Sequence, residues 1–287
     1  MSTAASASGV KAPSSSPGVS APEMQPGWRP ARPANGTTAK PPPTVDPSNY
    51  PGGKKSLSGI SIRAFLLGVT LGACLIVTVC FLTVIPTPLW RVPFFIASLC
   101  LFHFLEYYIT ARYNTLQANI SAFLLTQNGW QYNVAHGSAI AECILFRLLL
   151  PDGYFRWTAA VLGGVKVQAA LGLALMIVGQ TVRTLAMAHA GSNFNHTVQV
   201  ERKEGHTLVK TGVYSVLRHP SYFGFFWWGL GTQLVLGNVI CFWGYAFVLW
   251  MFFSKRIKRE ERFLILFFGD DYVDYRRKTW VGIPGIR

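Results

Sequence analysis

Residues 212–236 read GVYSVLRHPSYFGFFWWGLGTQLVL, a polar and aromatic stretch that becomes a long apolar run at Pro220. Proline lacks an amide hydrogen and fits the first turn of a helix, so we predict that a helix starts at Pro220. The unpaired N–H groups of a helix start suit a polar or anionic ligand. Arg218 and His219 therefore have two interpretations: they flank a membrane helix at the interface, or they line a binding site.

The composition indicates a membrane protein. Of the 287 residues, 51% are hydrophobic and only 13% are charged, whereas ordinary soluble domains have about 25% charged residues. The formal net charge is +14, but Lys and Arg are dispersed between apolar runs, as the positive-inside rule predicts for membrane helices. We therefore expect the lipid bilayer to be a partner, and we expect no binding of nucleic acid.

The pattern of apolar runs predicts an all-α integral membrane protein. Residues 1–55 are rich in Ser, Ala, Pro and Gly and cannot offset their ordering entropy, so we predict a disordered cytosolic tail. Residues 56–157 hold the N-terminal transmembrane helices, and residues 158–287 form a C-terminal membrane region. About six spans are predicted, at residues 60–84, 92–110, 134–150, 157–190, 221–236 and 239–253.

The distribution of basic residues predicts the orientation of the spans. Lys54, Lys55 and Arg63 lie at the start of the first span, whereas only Arg91 lies in the turn that follows it. The positive-inside rule then places the N-terminus in the cytosol. With six spans, the C-terminus lies there too.

The last two spans are predicted to form a hairpin with a tight turn at Gly237 and Asn238. The basic run 255–262 should return the chain to the cytosolic side, and the amphipathic segment 263–278 should form a further helix against the membrane. Arg256 and Glu260 are four residues apart, so both can project from one side of a helix. On its own, that spacing is equally typical of a surface ion pair.

Ionisable residues fall inside the predicted spans, among them His103, Glu106 and Glu142. An acid at the membrane centre costs roughly 2.5–3.5 kcal/mol on insertion scales, so such groups normally face other helices. His103 and Glu106 share one helical face, and Glu142 lies on the next span. We favour packing between helices over a role in a substrate path. The five cysteines lie within apolar runs without ligand spacing, so we predict no metal site.

Common cofactor and hydrolase motifs are absent from the sequence. It contains no G-x-x-x-x-G-K-[ST] loop, no H-E-x-x-H and no G-x-S-x-G. A small cofactor would therefore need an unconventional membrane site.

A set of short motifs in the C-terminal half resembles the isoprenylcysteine carboxyl methyltransferases. The motifs, in order, are GSNFNHTVQ (191–199), HTLV (206–209), GVY (212–214), RHPSY (218–222), EE (260–261) and FGDDY (268–272). The resemblance is close over residues 178–284 and looser over the earlier helices. The RHPxY piece alone is weak, because phospholipid N-methyltransferases and, in modified form, NADPH-dependent sterol reductases also contain it. Both remain alternative functions.

The resemblance implies an enzyme that moves a methyl group from S-adenosylmethionine to the terminal carboxylate of a prenylated cysteine. It implies prenylated substrates such as Ras-type small GTPases, the endoplasmic reticulum membrane, and a cofactor pocket on the cytosolic face formed by the catalytic region 158–287. Arg256 would be catalytic and would bind the substrate carboxylate. Arg183, Asn193 and Asn195 match the pattern without an assigned role. The expected cofactor residues are Gln199, His206, Thr207, Leu208, Val209, Tyr214, His219, Pro220, Ser221, Tyr222 and Glu260.

The residue types agree with this chemistry. An α-carboxylate has a pKa near 3.3–3.7 and is already a nucleophile at neutral pH, so no general base is needed. Arg256 offers paired donors to a carboxylate, and Glu260 can oppose the positive groups of the cofactor. The aromatic cluster 225–228 either borders a groove for the prenyl chain or belongs to an interfacial belt.

Overall fold

The computed structural model describes residues 46–149, 160, 163–202 and 204–287. Within these ranges the regular structure is helical, apart from one isolated parallel bridge between Leu217 and Trp280. The predicted all-α class is confirmed for this part of the chain. Its α-helices are α1 (Leu57–Thr83), α2 (Arg91–Tyr113), α3 (Gly129–Leu149), α4 (Val165–Ala190), α5 (Pro220–Leu236), α6 (Ile240–Phe268) and α7 (Asp270–Lys278).

Four segments of the described chain are long and apolar enough to cross a membrane. They are Leu57–Thr83, Pro88–Tyr113, Val165–Asn193 and Ile240–Phe268. Helices α3 and α5 do not meet the same criterion. α5 has 17 residues, which gives about 25 Å at 1.5 Å per residue, less than the roughly 30 Å of a hydrocarbon core. Four of the six predicted spans therefore meet the criterion.

The hairpin of α5 and α6 forms as predicted. α5 begins at Pro220, and Gly237 ends it in the left-handed conformation with φ 79°. The Glu142 carboxylate of α3 accepts hydrogen bonds from the backbone N–H groups of residues 239, 240 and 241, at 2.7, 3.0 and 2.7 Å. This carboxylate satisfies the N–H groups that a helix start leaves unpaired. Glu142 thus joins α3 to the turn of the hairpin.

The predicted end of the last span at residue 253 is wrong. α6 continues without a break from Ile240 to Phe268, and the bend lies at Gly269, where φ is 56°. The separate amphipathic helix predicted over residues 263–278 is also wrong, because its first six residues belong to α6 and residues 270–278 form α7. The run 255–262 consists mainly of Lys, Arg and Glu, which propagate a helix well. Arg256 and Glu260 therefore lie on one uninterrupted helix, α6.

The packing of α4 on α5 depends on two pairs of facing glycines. A Cβ on Gly179 would lie 2.5 Å from the carbonyl oxygen of Gly224, and a Cβ on Gly172 would lie 2.8 Å from that of Gly231. Glycine lets the two backbones approach closely, as in other membrane helix pairs. The close approach fixes the start of α5 against the end of α4.

Both ends of the described chain pack against the helices. Residues 46–55 were predicted to belong to the disordered tail, but they fold into a short 3-10 helix and turns, and Lys54 accepts a backbone hydrogen bond from Ile120 at 2.9 Å. The tail boundary at residue 55 was therefore wrong, and residues 1–45 of the predicted tail lie outside the described part. At the other end, residues 279–287 run along α5 and α6, with Val281, Ile283 and Ile286 in the core.

Candidate active site

A cavity lies where the start of α5, the second half of α6, α7 and the loop segments 193–195 and 206–209 meet. We call it the His206 cavity. It is lined by ten of the eleven residues that the sequence assigned to a cofactor: His206, Thr207, Leu208, Val209, Tyr214, His219, Pro220, Ser221, Tyr222 and Glu260. Gln199 is the exception, because it lines a neighbouring space together with Asn114 and Glu204.

Hydrogen bonds hold the loop that covers the His206 cavity. The Asn193 side chain accepts a bond from the Thr207 amide at 2.9 Å and donates to the Thr207 hydroxyl at 3.3 Å. The ring of His206 meets that of Phe268 edge-on, with 5.3 Å between centroids. Asn193, which had no assigned role, therefore positions Thr207, one of the predicted cofactor residues.

The half-buried Tyr214 and the buried Tyr275 fix the other wall. The Tyr214 hydroxyl donates to the carbonyl of Ala186 at 3.3 Å, and the Tyr275 hydroxyl donates to the carbonyl of Tyr214 at 2.7 Å. Burial raises the pKa of both phenols above the usual value of 10. Both hydroxyls therefore remain neutral donors at physiological pH.

Tyr222 links the predicted cofactor residues to Arg256. Arg256 Nε donates to the Tyr222 hydroxyl at 2.8 Å, and that hydroxyl donates in turn to Glu260 Oε2 at 2.5 Å. The ring of His219 stacks on the ring of Tyr222, with centroids 5.5 Å apart. Hydrogen bonds therefore link Arg256, Tyr222 and Glu260 across the start of α5.

Arg256 itself lines a second cavity, which we call the Arg256 cavity. It shares Phe194, Asn195, Ser221 and Tyr222 with the His206 cavity, and Phe225, Phe252 and Phe253 also line it. The Arg256 guanidinium lies 5.3 Å from the centre of the Tyr222 ring and donates to the carbonyl of His196. The second cavity therefore places Arg256 beside a largely aromatic wall, and Arg183, which pairs with Glu106, also lines it.

The residues of the aromatic cluster 225–228 face different parts of the structure. Phe225 borders the Arg256 cavity, whereas the Trp228 ring packs against Phe102, 4.8 Å away. Trp227 donates its indole N–H to the carbonyl of Gly282 at 3.1 Å. Only Phe225 of this cluster lines the cavity that contains Arg256.

Arg218 is held in a buried ion pair. Its Nε donates to Glu261 Oε1 at 2.7 Å, its NH1 donates to the carbonyl of Thr279 at 2.8 Å, and its side chain is 4% exposed. The same Glu261 oxygen lies 3.3 Å from His219 Nε2. Sequence reasoning assigned no role to Glu261, although the EE pair contained it. Glu261 fastens the RHPSY motif to α6.

A second buried ion pair contacts the start of α5. Arg183 donates to both oxygens of Glu106, at 2.5 and 2.8 Å, and to the Ser221 hydroxyl at 2.8 Å. The expectation that Glu106 faces another helix is confirmed. His103, on the same helix, has partners of its own in the Phe123 carbonyl and the Tyr132 hydroxyl. Arg183 thus fixes one residue shared by both cavities.

His196 lies beside this pair. Burial lowers the pKa of its imidazole to about 4, against the weaker raising effect of Glu106. Its Nδ1 is 3.8 Å from Glu106 Oε2. His196 is therefore neutral at physiological pH, and the Glu106 carboxylate is paired with Arg183 rather than with the imidazole.

Several lining residues of the His206 cavity were missed by sequence reasoning. Leu264, Phe268, Tyr272 and Tyr275 come from the end of α6 and from α7. Leu264 and Phe268 follow Glu260 at intervals of four residues, which places all three on one face of a helix. That signal was present in the sequence, but the predicted helix break at residue 253 concealed it.

The chemistry of the His206 cavity suits a cofactor with positive groups and an aromatic ring. The Glu260 carboxylate can oppose a cation, and the rings of Tyr214 and Tyr222 offer aromatic faces. The cavity volume is about 120 Å³, below the roughly 300–1,000 Å³ of small-molecule sites. A neighbouring space of about 280 Å³ shares Asn193, Phe194, Asn195 and His206 with it. Each of the two spaces alone is therefore smaller than a typical small-molecule site.

Known proteins are similar to this chain over most of its length. Residues 171–266 match the family model described as the isoprenylcysteine carboxyl methyltransferase (ICMT) family. A protein-S-isoprenylcysteine O-methyltransferase of Saccharomyces cerevisiae is 44% identical over 244 residues, covering 84% of this chain and 97% of the relative. One of Xenopus laevis is 39% identical and covers 82% of this chain and 76% of the relative.

The fold agrees with these relatives. The solved structure of a eukaryotic intramembrane Ras methyltransferase, isoprenylcysteine carboxyl methyltransferase, matches with a TM-score of 0.70 and 35% identity. The match covers 79% of this chain and 77% of that chain. This chain therefore belongs to the isoprenylcysteine carboxyl methyltransferase family.

Proposed function

We propose that this protein methylates the terminal carboxylate of a prenylated cysteine and uses S-adenosylmethionine as the methyl donor. The observation that carries the proposal is the junction of two cavities at Tyr222. One cavity holds ten of the residues that the resemblance assigns to the cofactor, and the other holds Arg256 beside aromatic rings. A methyl donor and a carboxylate acceptor would meet at this junction.

Arg256 is proposed to bind the substrate carboxylate. An α-carboxylate is ionised at neutral pH, so the protein has to orient it rather than remove a proton. A guanidinium presents paired N–H donors that match a carboxylate. Its Nε is bonded to Tyr222, which fixes the orientation of the group. Holding two reactants in line can supply roughly 7–11 kcal/mol of barrier lowering.

The walls of the His206 cavity are proposed to hold S-adenosylmethionine, which supplies an electrophilic methyl group on a sulfonium. Glu260 would oppose the positive charge of the bound molecule, and Tyr214 and His206 would contact its flat ring. The Tyr222 hydroxyl donates to Glu260, so Glu260 remains oriented toward the junction. Gln199 would join this set only if the loop moves, because it lines the neighbouring space.

The membrane setting follows from the two kinds of ligand. A prenyl chain partitions into the bilayer, whereas S-adenosylmethionine is water-soluble, so a site at the cytosolic face admits each from its own phase. We propose that the prenyl chain enters along Phe225, Phe252 and Phe253. We also propose six spans with both termini in the cytosol, location in the endoplasmic reticulum, and prenylated Ras-type small GTPases among the substrates.

Labelled methyl transfer to N-acetyl-S-farnesylcysteine tests the proposal. We expect label in the ester product, with S-adenosylhomocysteine binding to the purified protein and NADPH not binding. No transfer to this acceptor, together with transfer to a phospholipid amine, would establish a phospholipid N-methyltransferase instead. Binding of NADPH without S-adenosylhomocysteine would establish a reductase.

The orientation has its own test. The sequence contains glycosylation sequons at Asn35, Asn119 and Asn195, and all three fall on the side proposed to be cytosolic. We expect none of them to be glycosylated in cells. Sugar at any of the three would refute the proposed orientation without affecting the proposed reaction.

A further inference from the structure

A cavity of about 740 Å³ lies between α7 and the C-terminal segment 279–287. We call it the C-terminal cavity. Arg276, Arg277 and Arg287 line it, and the residues that the structure assigns to its lining include no Asp or Glu. A second part of its wall is apolar: Trp280 and Pro284 are exposed there, and the buried core residues Val281, Ile283 and Ile286 lie behind them. The cavity therefore combines a basic region with an apolar wall.

Two of its arginines, Arg276 and Arg277, have exposed side chains and can still bind an anionic ligand. Arg276 lies 3.3 Å from Glu261, but 42% of its side chain is exposed. Arg277 pairs with Asp274 at 3.4 Å, and both side chains are more than half exposed, so this surface pair is weak. Arg218, which also lines the cavity, is already committed to Glu261 and to the Thr279 carbonyl. The charge available to a ligand therefore lies on Arg276 and Arg277, together with the exposed Arg287.

The apolar wall is anchored alongside the membrane helices. Trp227 of α5 donates to the carbonyl of Gly282 at 3.1 Å, and Trp250 of α6 donates to that of Pro284 at 2.9 Å. Trp250 precedes Arg256 by six residues, which is about 9 Å along the helix toward the other side of the bilayer. The wall therefore runs along α5 and α6, away from the helix ends that form the active site.

Trp280 stands where the basic region and the apolar wall meet. Its side chain is 75% exposed although the neighbouring Val281 is buried. Tryptophan is enriched at the interface between lipid and water, because its ring is apolar and its N–H is polar. A tryptophan at that interface would set the neighbouring arginines at head-group level.

We propose that the C-terminal cavity binds an anionic phospholipid, with its head group on Arg276 and Arg277 and its acyl chain along Trp280 and Pro284. Guanidinium groups form strong charge-assisted hydrogen bonds with phosphate, and the cytosolic leaflet is rich in anionic lipid. A free phosphate would use only the basic region and would leave the apolar wall without a partner. The C-terminal cavity shares only Arg218 with the His206 cavity, and its test is a binding measurement that needs no catalytic activity.

The test is native mass spectrometry of the full-length protein in an uncharged detergent. Phosphatidylserine and phosphatidylcholine with identical acyl chains are added separately, and inorganic phosphate is added in a third arm. We expect retention of phosphatidylserine over phosphatidylcholine. The double variant R276Q/R277Q should weaken phosphatidylserine binding roughly 10- to 30-fold.

R259Q/R262Q is the matched control, because it removes the same charge from exposed positions on α6. It should retain phosphatidylserine as the parent protein does. If the double variant fails to fold, Arg277→Gln alone is used, since Arg277 has only the exposed partner Asp274. Equal loss in the control, equal retention of both lipids, or displacement of phosphatidylserine by millimolar phosphate would each overturn the proposal.

Discussion

The hydroxyl of Tyr222 accepts a hydrogen bond from Arg256 Nε at 2.8 Å. The same hydroxyl donates to Glu260 at 2.5 Å, and Tyr222 belongs to the walls of both the His206 cavity and the Arg256 cavity. One phenol therefore sets the position of the proposed carboxylate-binding group relative to the proposed cofactor-binding group. The first three predictions concern these three hydrogen-bonded side chains.

Arg256→Ala should lower kcat for N-acetyl-S-farnesylcysteine roughly 30- to 1,000-fold, because a desolvated charge that pairs with the substrate is lost. Affinity for S-adenosylhomocysteine, measured by calorimetry, should stay within a few-fold. Arg259→Ala, at an exposed position three residues later on α6, is the control and should be active. Loss of cofactor affinity in Arg256→Ala would show that its role was assigned wrongly.

Tyr222→Phe keeps the aromatic ring and removes only the hydroxyl. Arg256 Nε loses its acceptor and Glu260 loses a donor, so we expect kcat to fall about tenfold, as for one hydrogen bond with a charged group. Steady-state kinetics should show the effect mainly in kcat. Tyr108→Phe, an exposed tyrosine of α2, should not change the kinetics. An unchanged kcat in Tyr222→Phe would mean that Arg256 is oriented without it.

Glu260→Gln and Glu260→Ala should both weaken binding of S-adenosylmethionine. Removal of a charged hydrogen-bonding partner costs about 1.5–3 kcal/mol, which corresponds to roughly 10- to 100-fold in affinity. Equilibrium binding measurements check the value, with Glu201→Ala in the exposed loop as the control. Unaltered affinity in both Glu260 variants would remove Glu260 from the cofactor site.

Gly179→Ala should destabilise the contact between α4 and α5. Its Cβ would lie 2.5 Å from the Gly224 carbonyl oxygen and 2.7 Å from the Trp228 amide nitrogen, so the helices would have to separate, at a cost of about 1–3 kcal/mol. Thermal unfolding in detergent should show a lower midpoint. Gly68→Ala in α1 meets no atom within 4 Å and should leave the midpoint equal or slightly higher.

Acid should destabilise the protein through His196. Its pKa is lowered to about 4, whereas an unfolded histidine has a pKa of about 6.5. The unfolded state therefore binds more protons between these values, and stability falls as the pH is lowered through that window, by up to about 3 kcal/mol. His196→Asn should lose this part of the pH dependence of the unfolding midpoint between pH 6.5 and 4. An identical dependence in the variant would show that another group causes it.

The sequence predicted the membrane class and the main helices, because long apolar runs admit few other structures. Pro220 marked the start of α5 and Gly237 marked its end, since proline lacks an amide hydrogen and glycine adopts a positive φ. The prediction from the sequence was wrong where a local signal was ambiguous. The charged run 255–262 looked like an exit from the membrane, although its residue types also continue a helix.

The sequence alone determined which residue types the candidate site contains, since ten of the predicted residues line one cavity. Tertiary structure alone decided how they are joined. Tyr222 connects Arg256 to Glu260 across the start of α5, and Glu261 rather than its neighbour pairs with Arg218. These partners lie 34 to 43 residues apart, and no local pattern encodes contacts over that separation. They exist because the glycine contacts of α4 and α5 and the rigid length of α6 bring the helix ends together.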